Sequence, residues 1–351
     1  MDTGELRQRY AGIRRRRILF LLSLVGILIL LTGISVTLGS AGLSVGESYL
    51  AIIAGIFPGT FEVSDLAETI VWDYRLHRVV FAVLAGFGLA AAGTVMQGIL
   101  RNPLASPFTL GIASAASCGA AIAIVLGAGF AGGEYLVVGN AFLFALLAAC
   151  VIYGMSRYHG MSSETMILAG IALMYLFSAV TSLLQYFGTA NQVQEVVFWM
   201  FGSMGRSSWL KVAIVGTVLA IAVPYLMLRA WDLNALAEGD EVAASLGIPV
   251  ERSMAIFMLI ASLVTAVVIC FCGTIGFIGL VAPHITRMIT GGDHRILLPA
   301  SGLVGAVLLL GADSLARTVL APTVIPVGIM TAFIGVPFFI YLFMRRGSSR
   351  W

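Results

Sequence analysis

Apolar residues run in blocks of about twenty along almost the whole chain, separated by short polar connections. A helix needs about 20 predominantly apolar residues to cross a hydrocarbon core ~30 Å thick. Ten blocks meet that pattern, at 18–38, 79–100, 107–130, 135–155, 164–187, 211–230, 252–272, 273–290, 297–316 and 326–344. The eighth is interrupted by Pro283, His284 and Arg287. The pattern predicts an all-α, polytopic transmembrane bundle of about ten spans, one domain over 1–351 with a polar tail at 1–17. The first apolar block follows Arg14–Arg17 and is long enough to stay as a span, so it does not read as a cleaved signal peptide.

One connection departs from the pattern. Residues 229–252, RAWDLNALAEGDEVAASLGIPVER, carry seven charges in 24 residues, five acidic and two basic. Within them Asp232 and Asn234 can cap a short helix, Leu233, Leu236, Val242, Ala243 and Leu246 recur at roughly helical spacing, and Gly247 with Pro249 stops it. A helix this short and acidic cannot sit in hydrocarbon. It reads as a docking element at a membrane surface or as a loop helix lying on its own protein.

Composition agrees with the periodicity. Apolar residues make up 60% of the chain and charged residues 11%, with mean hydropathy +1.01, whereas soluble domains are about 25% charged. Forty glycines suit helices that must approach closely where water cannot drive them together. The net charge of +3 gives no global pull on nucleic acid. Cys118, Cys150, Cys270 and Cys272 lie in or beside apolar runs and read as buried thiols; the C-x-C of the last two is not a redox or zinc spacing.

Basic residues set the orientation. With both termini cytoplasmic, 15 of the 20 Lys and Arg fall inside, namely Arg7, Arg9, Arg14, Arg15, Arg16, Arg17, Arg101, Arg157, Arg229, Arg252, Arg287, Arg295, Arg345, Arg346 and Arg350. Outside remain Arg75, Arg78, Arg206, Lys211 and Arg317, together with a mixed segment over 39–74 that holds Glu47, Glu62, Asp65, Glu68 and Asp73. This places 229–252 in the cytoplasm. Gly93-Thr94 and Gly273-Thr274, each ten residues before a proline, suit an inverted repeat.

The sequence also excludes chemistry. Lys211 is the only lysine and follows Leu210, so no P-loop exists and ATP cannot be held that way. The literal G-x-G-x-x-G inside GAGFAGG (127–133) has no strand before it and reads as a turn. His284 and His294 read as cytoplasmic-loop histidines rather than metal ligands. A charge at the bilayer centre costs about 2.5–3.5 kcal/mol on insertion scales and marks ion-coupled carriers. Here Glu164 and Glu195 sit at span ends, and Asp313 lies near the outer end of the ninth span, four residues from Arg317 as in a helical ion pair. An ion- or proton-coupled carrier and a non-transporting scaffold stay as alternatives, the first weakened by these clean spans.

Several long motifs occur in order: RLHRVVFAVLAGFGLAAAGTVMQGILRNPLASPFTLGIASA (75–115), ILAGIAL (167–173), FWMFGSMGRSSW (198–209), LNALAEGDEVAASLGIPVER (233–252), GTIGFIGLVAPHITRMITGGDHRILLPAS (273–301) and IPVGIMTAFIGVPFFIYLF (325–343). In these the chain resembles the permeases of the iron-siderophore, haem and cobalamin ABC importers, the FecCD or BtuC-like type. The resemblance implies a plasma-membrane pair of ten-span subunits, a homodimer or this chain with a paralogue, with two cytoplasmic ATPase subunits, which hold the ATP and magnesium, and an external binding protein that delivers a metal chelate. No catalytic residue, cofactor or metal is expected in this chain.

The resemblance also assigns residues. Leu236, Ala237, Glu238, Gly239, Ala243, Leu246 and Gly247 fall on the element that couples to the ATPase, about 231–251. Arg75, Arg78 and Arg317 match basic positions that receive acidic residues of the binding protein, or else anchor helix ends at headgroups. His77 stands where the family pattern has proline. Asn102, Pro103 and Leu104, with Ser162 and Ser163, resemble a cytoplasmic gate. Leu173, Ser178, Thr181, Ser182 and Gln185 of the fifth span and Gly328, Thr331 and Gly335 of the tenth are expected to line the pathway, or to serve ordinary helix packing.

Overall fold

The structure, a computed structural model, describes residues 3–39, 42–57, 59, 61, 63–130, 132–159 and 162–345. Glu62, Arg346 and Arg350 of the charge pattern lie outside the described residues. Every element described is helical: α1 (Thr3–Thr37), α2 (Val45–Ile56), α3 (Asp65–Thr69), a π-helical turn (Ile70–Leu76) running into α4 (His77–Ile99), α5 (Ile112–Leu126), α6 (Leu136–His159), α7 (Ser163–Phe187), α8 (Ala190–Met200), α9 (Trp209–Leu228), α10 (Ala230–Glu238), α11 (Asp240–Ser245), α12 (Val250–Cys272), α13 (Ile278–Thr290), α14 (His294–Thr318) and α15 (Val327–Arg345).

Each of the ten apolar blocks carries a helix, but not all of those helices are spans by length. Among the described residues seven are long and apolar enough to cross a membrane, those over 14–37, 65–99, 136–158, 163–187, 209–228, 250–272 and 294–318. At 1.5 Å per residue, the 13 residues of α13 reach only about 20 Å. The preceding stretch, 273–277, is non-helical, so the eighth block begins as irregular backbone. Its helix runs unbroken through Pro283.

Three other parts of the chain acquire definite form. The tail at 1–17 is helical from Thr3 and continuous with the first span. The segment 39–74 is not a plain loop, because α2 starts in a capping box of Ser44 and Glu47 and the helix of the second span begins at Asp65. The two Gly-Thr pairs have different settings, Gly93 inside α4 and Gly273 at the end of α12 with φ 74°.

The bundle is layered. In α4 and α12, 78% of the best apolar window is buried inside the protein, against 11% in α1 and 22% in α9. This makes α4, α12 and α14 the centre and leaves α1, α6, α7 and α9 with outward apolar faces. Close approach is achieved with small residues, since lipid gives no hydrophobic gain for pairing helices. Where α4 crosses α14, a Cβ on Gly86 would stand 2.4 Å from the Gly305 carbonyl oxygen. Of the four cysteines, Cys118, Cys270 and Cys272 are buried, whereas Cys150 is exposed on α6, contrary to expectation.

Candidate functional site

Connections at one end of the bundle build the first part of the site. The segment expected to couple is two helices rather than one, broken at Gly239, whose φ of 129° and ψ of 157° are open to glycine alone. Neither Asp232 nor Asn234 caps the start. Asp232 lies in the first turn of α10 and pairs with Arg229 at 2.7 Å, while Asn234 Nδ2 donates to Asp293 Oδ1 at 2.9 Å and its Oδ1 accepts the His294 N–H at 2.8 Å.

The apolar stripe also divides. Leu233, Leu236 and Ala243 are buried anchors, but Val242 and Leu246 point outward, Leu246 at 67% exposure. Ala237, Glu238 and Gly247 are exposed beside them. Arg101, in the turn after α4, reaches Asp240 at 3.1 Å. Trp231 lies 4.1 Å beneath the Arg295 guanidinium, and Arg295 bonds Asp293 at 2.6 Å. These clips tie the element to the start of α14. The Arg295 guanidinium, foremost, and the Asn234 amide hold the Asp293 carboxyl well below the usual carboxylate range against partial burial.

The expected gate residues meet at the same end. Asn102 Oδ1 accepts the Leu104 N–H at 2.9 Å and so closes the turn that contains Pro103. Ser162 caps α7 by accepting the Thr165 N–H, and Ser163 Oγ donates to the Ile99 carbonyl of α4 at 3.3 Å. Leu104 is exposed. The two histidines expected in loops are buried instead, His284 within α13 and His294 at the start of α14. Among the described residues no cluster of three metal-ligating side chains occurs.

Two adjoining cavities occupy the other half. One of about 270 Å³ is lined by Ser178, Thr181, Ser182 and Gln185 of α7, with Ser114 and Ser117 of α5. The other, about 600 Å³, is lined by Gly328 with Phe201, Phe277 and Phe333. Phe108, Met200 and Thr274 border both. Neither is lined by a charged side chain. Thr331 and Gly335 line a narrow crevice behind Phe277, and Leu173 lines neither large cavity.

The sequence reading missed the wall formed where three chain breaks meet. Ser203 N donates to Cys272 O at 2.7 Å, Val327 N to Gly202 O at 3.1 Å and Gly328 N to Phe201 O at 3.0 Å. Thr274 Oγ1 donates to the Met200 carbonyl. Irregular backbone at membrane depth is stable only where it is buried in protein or lines a cavity, and here it does both. The usable signal was the density of Gly202, Gly273, Gly276 and Gly328. Phe277, held at φ 66°, is one of two non-glycine residues with positive φ among the described residues.

At that far end the three arginines expected at the surface are turned inward. Arg75 is 6% exposed and donates to the Val36 and Thr37 carbonyls. Arg317 donates to those of Ser35 and Leu38. These are carbonyls at the C-terminus of α1, which no later turn satisfies. Arg78 and Arg317 share Asp313, at 2.7 and 3.1 Å, with no exposed side-chain surface on the carboxylate. The expected Asp313–Arg317 pair is therefore half of a triad. His77 continues the helix where a proline was expected; its Nε2–H donates to the Asp73 carbonyl at 2.5 Å and Nδ1 lies 2.9 Å from Ser207 Oγ.

Against known proteins, the profile of the FecCD transport family matches residues 27–345. The chain belongs to that family. It is 38% identical to the cobalamin import system permease BtuC of Halobacterium salinarum, over 84% of this chain and 78% of that one. With the hemin transport system permease HmuU of Yersinia pestis it shares 38% identity over 80% of this chain and 85% of the other. A solved metal-chelate type ABC transporter in an inward-facing conformation superposes with a TM-score of 0.81 at 30% identity, covering 93% of this chain and 98% of that one. This FecCD-family chain is therefore a helical membrane permease of the ABC-importer type, with the fold the motifs implied.

Proposed function

We propose that the chain forms the membrane pathway of a binding-protein-dependent importer that carries a bulky metal chelate, of the iron-siderophore, haem or cobalamin kind, into the cytoplasm. It works as a homodimer in the plasma membrane with both termini cytoplasmic. Two separate ATPase subunits hold ATP and magnesium, and this chain performs no catalysis. The observation that carries the reading is the two-helix element at 230–245: clipped to α4 and α14 on one side, it presents Val242 and Leu246 with unpaired Glu238 on the other. Exposed apolar side chains on a short charged segment suit a partner's groove better than solvent.

Closure of the ATPases would move this element and, through Arg101 and Asp240, the Asn102–Leu104 turn against Ser162 and Ser163. The chargeless cavities suit a large ligand that must slide without being held. For the external protein the basic surface is reduced to Arg78, whose side chain keeps 14% exposure, and exposed Arg206 next to it in the chain's path through Gly205. Arg75 and Arg317 serve that surface by holding the end of α1.

Reconstitution in liposomes tests the whole reading. With ATPase and binding protein present, chelate uptake is expected only with ATP inside the ATPase compartment. Uptake by this chain alone, driven by an ion gradient, would overturn it in favour of a coupled carrier.

A further inference from the structure

Between α1 and α4, helix α2 turns an unbroken apolar face away from the protein. At about 100° per residue, Val45, Tyr49, Ile53 and Ile56 fall within about 80° of arc, and all four are exposed, Val45 at 60%. Leu50 and Phe57, exposed as well, widen the arc to about 140°. On the opposite side Ser48 and Ala51 are buried. Glu47, the only charged residue of the helix, lies off this arc and is engaged in the capping box, where its carboxylate accepts the Ser44 N–H at 2.8 Å.

Two contacts fix the level of α2. Tyr49 Oη packs against Gly33 of α1, in the space a Cβ would take. Gly33 lies inside the span 14–37, four residues or about 6 Å short of the end of α1 at Thr37. Ile29, Leu30 and Ile34, its neighbours in the chain, are exposed on a span that is only 11% buried within the protein and so borders lipid. On the other side, Trp72 Nε1 donates to the Ala51 carbonyl at 3.0 Å, and the Trp72 ring fills the space beside Gly55. Trp72 belongs to the π-helical turn that carries Arg75, which holds the end of α1. The 12 residues of α2 reach about 18 Å, too short to cross a membrane.

We propose that α2 is an interfacial anchor, with the face of Val45, Tyr49, Ile53 and Ile56 seated among the phospholipids of the leaflet in which α1 ends. Its position selects lipid, because Tyr49 meets α1 beside side chains that already border hydrocarbon. Its chemistry agrees. The arc carries no charge to guide a soluble partner, and an exposed apolar face of this kind is stable where membrane covers it. Tyrosine is enriched at the headgroup level, and an interfacial helix buries its apolar side about 5–10 Å into the boundary between headgroups and acyl chains. Seated there, α2 sets through Trp72 the depth of the turn that bears Arg75. This holds for either orientation of the chain in the membrane and does not rest on the transport reading.

The full chain in nanodiscs of phosphatidylcholine and phosphatidylglycerol tests the anchor with no partner, ATP or chelate present. A diazirine probe dissolved in the lipid is expected to label residues 45–57 of the unaltered chain, as it labels the exposed residues of α1, while Tyr49 and Phe57 stay protected from hydroxyl radicals in the water. A second measurement uses Ile53→Cys or Ile56→Cys together with Cys150→Ser, since Cys118, Cys270 and Cys272 are buried. A nitroxide on the introduced thiol should collide more often with oxygen than with a water-soluble nickel chelate. Radical oxidation of the face without diazirine labelling, or nickel collisions in excess of oxygen, would put it in water. Protection from both reagents would put it against a second copy of the chain or another protein. Each of these results would overturn the assignment, and the labelling contrast is read without any substitution.

Discussion

Asp313 illustrates how much one buried side chain can organise. Its carboxylate joins α14 to α4 through Arg78 and stabilises Arg317, which in turn satisfies the last carbonyls of α1. Removing one member of a buried ion pair strands the others in a poorly solvated place, at a cost of about 3–5 kcal/mol. Asp313→Ala is expected to lower the melting temperature of the purified chain and to speed proteolysis after residue 38, where α1 loses its tie. A variant as stable as the parent would show the triad to be dispensable. The i, i+4 spacing announced half of this triad. Arg78 is 235 residues from Asp313, and its part needed the fold.

Among elements, α10 and α11 carry the sharpest expectation. Gly239 has room for a side chain, the nearest atom to a Cβ there being Arg101 Nη1 at 3.7 Å, so the obstacle is backbone conformation and not packing. Forcing a β-branched residue into that region costs about 1–3 kcal/mol, and the hinge between the helices will reshape to avoid it. Gly239→Val is expected to insert normally and to keep ATPase subunits bound, while ATP hydrolysis no longer drives uptake. Normal ATP-dependent uptake would count against the coupling role. The same scale explains why the apolar stripe misled: helical spacing joins Leu236 to Val242 and Leu246 only if one helix continues, and Gly239 ends it, turning the last two outward.

For the whole molecule, the proposed pathway rests on a pair of interior cavities lined by no charged side chain. Cavities of about 270 and 600 Å³ are lined by hydroxyls, glycines and aromatic rings. Gln185→Arg would place a cation in that path, with an insertion cost of about 2.5–3.5 kcal/mol if it stays unpaired near the membrane centre. Chelate uptake in the reconstituted complex is expected to fall by about tenfold or more, with assembly unchanged; undiminished uptake would place the path elsewhere. Serine and glutamine at i, i+4 and i, i+3 spacing on the fifth block pointed to this wall, whereas Phe108, Phe201 and Phe277 gave no periodic signal.

The sequence alone determined that this is a polytopic helical membrane protein with an acidic connection apart from the rest, because hydropathy and charge act locally and are written in consecutive residues. Its long ordered motifs likewise sufficed for the family. Tertiary structure decided which arginines are surface and which are ties, that His284 and His294 are buried, and that three separated glycine-rich breaks form one cavity wall. Those outcomes depend on which groups meet across tens to hundreds of residues. Burial and pairing of that kind are properties of the packed bundle, and no window along the chain contains them.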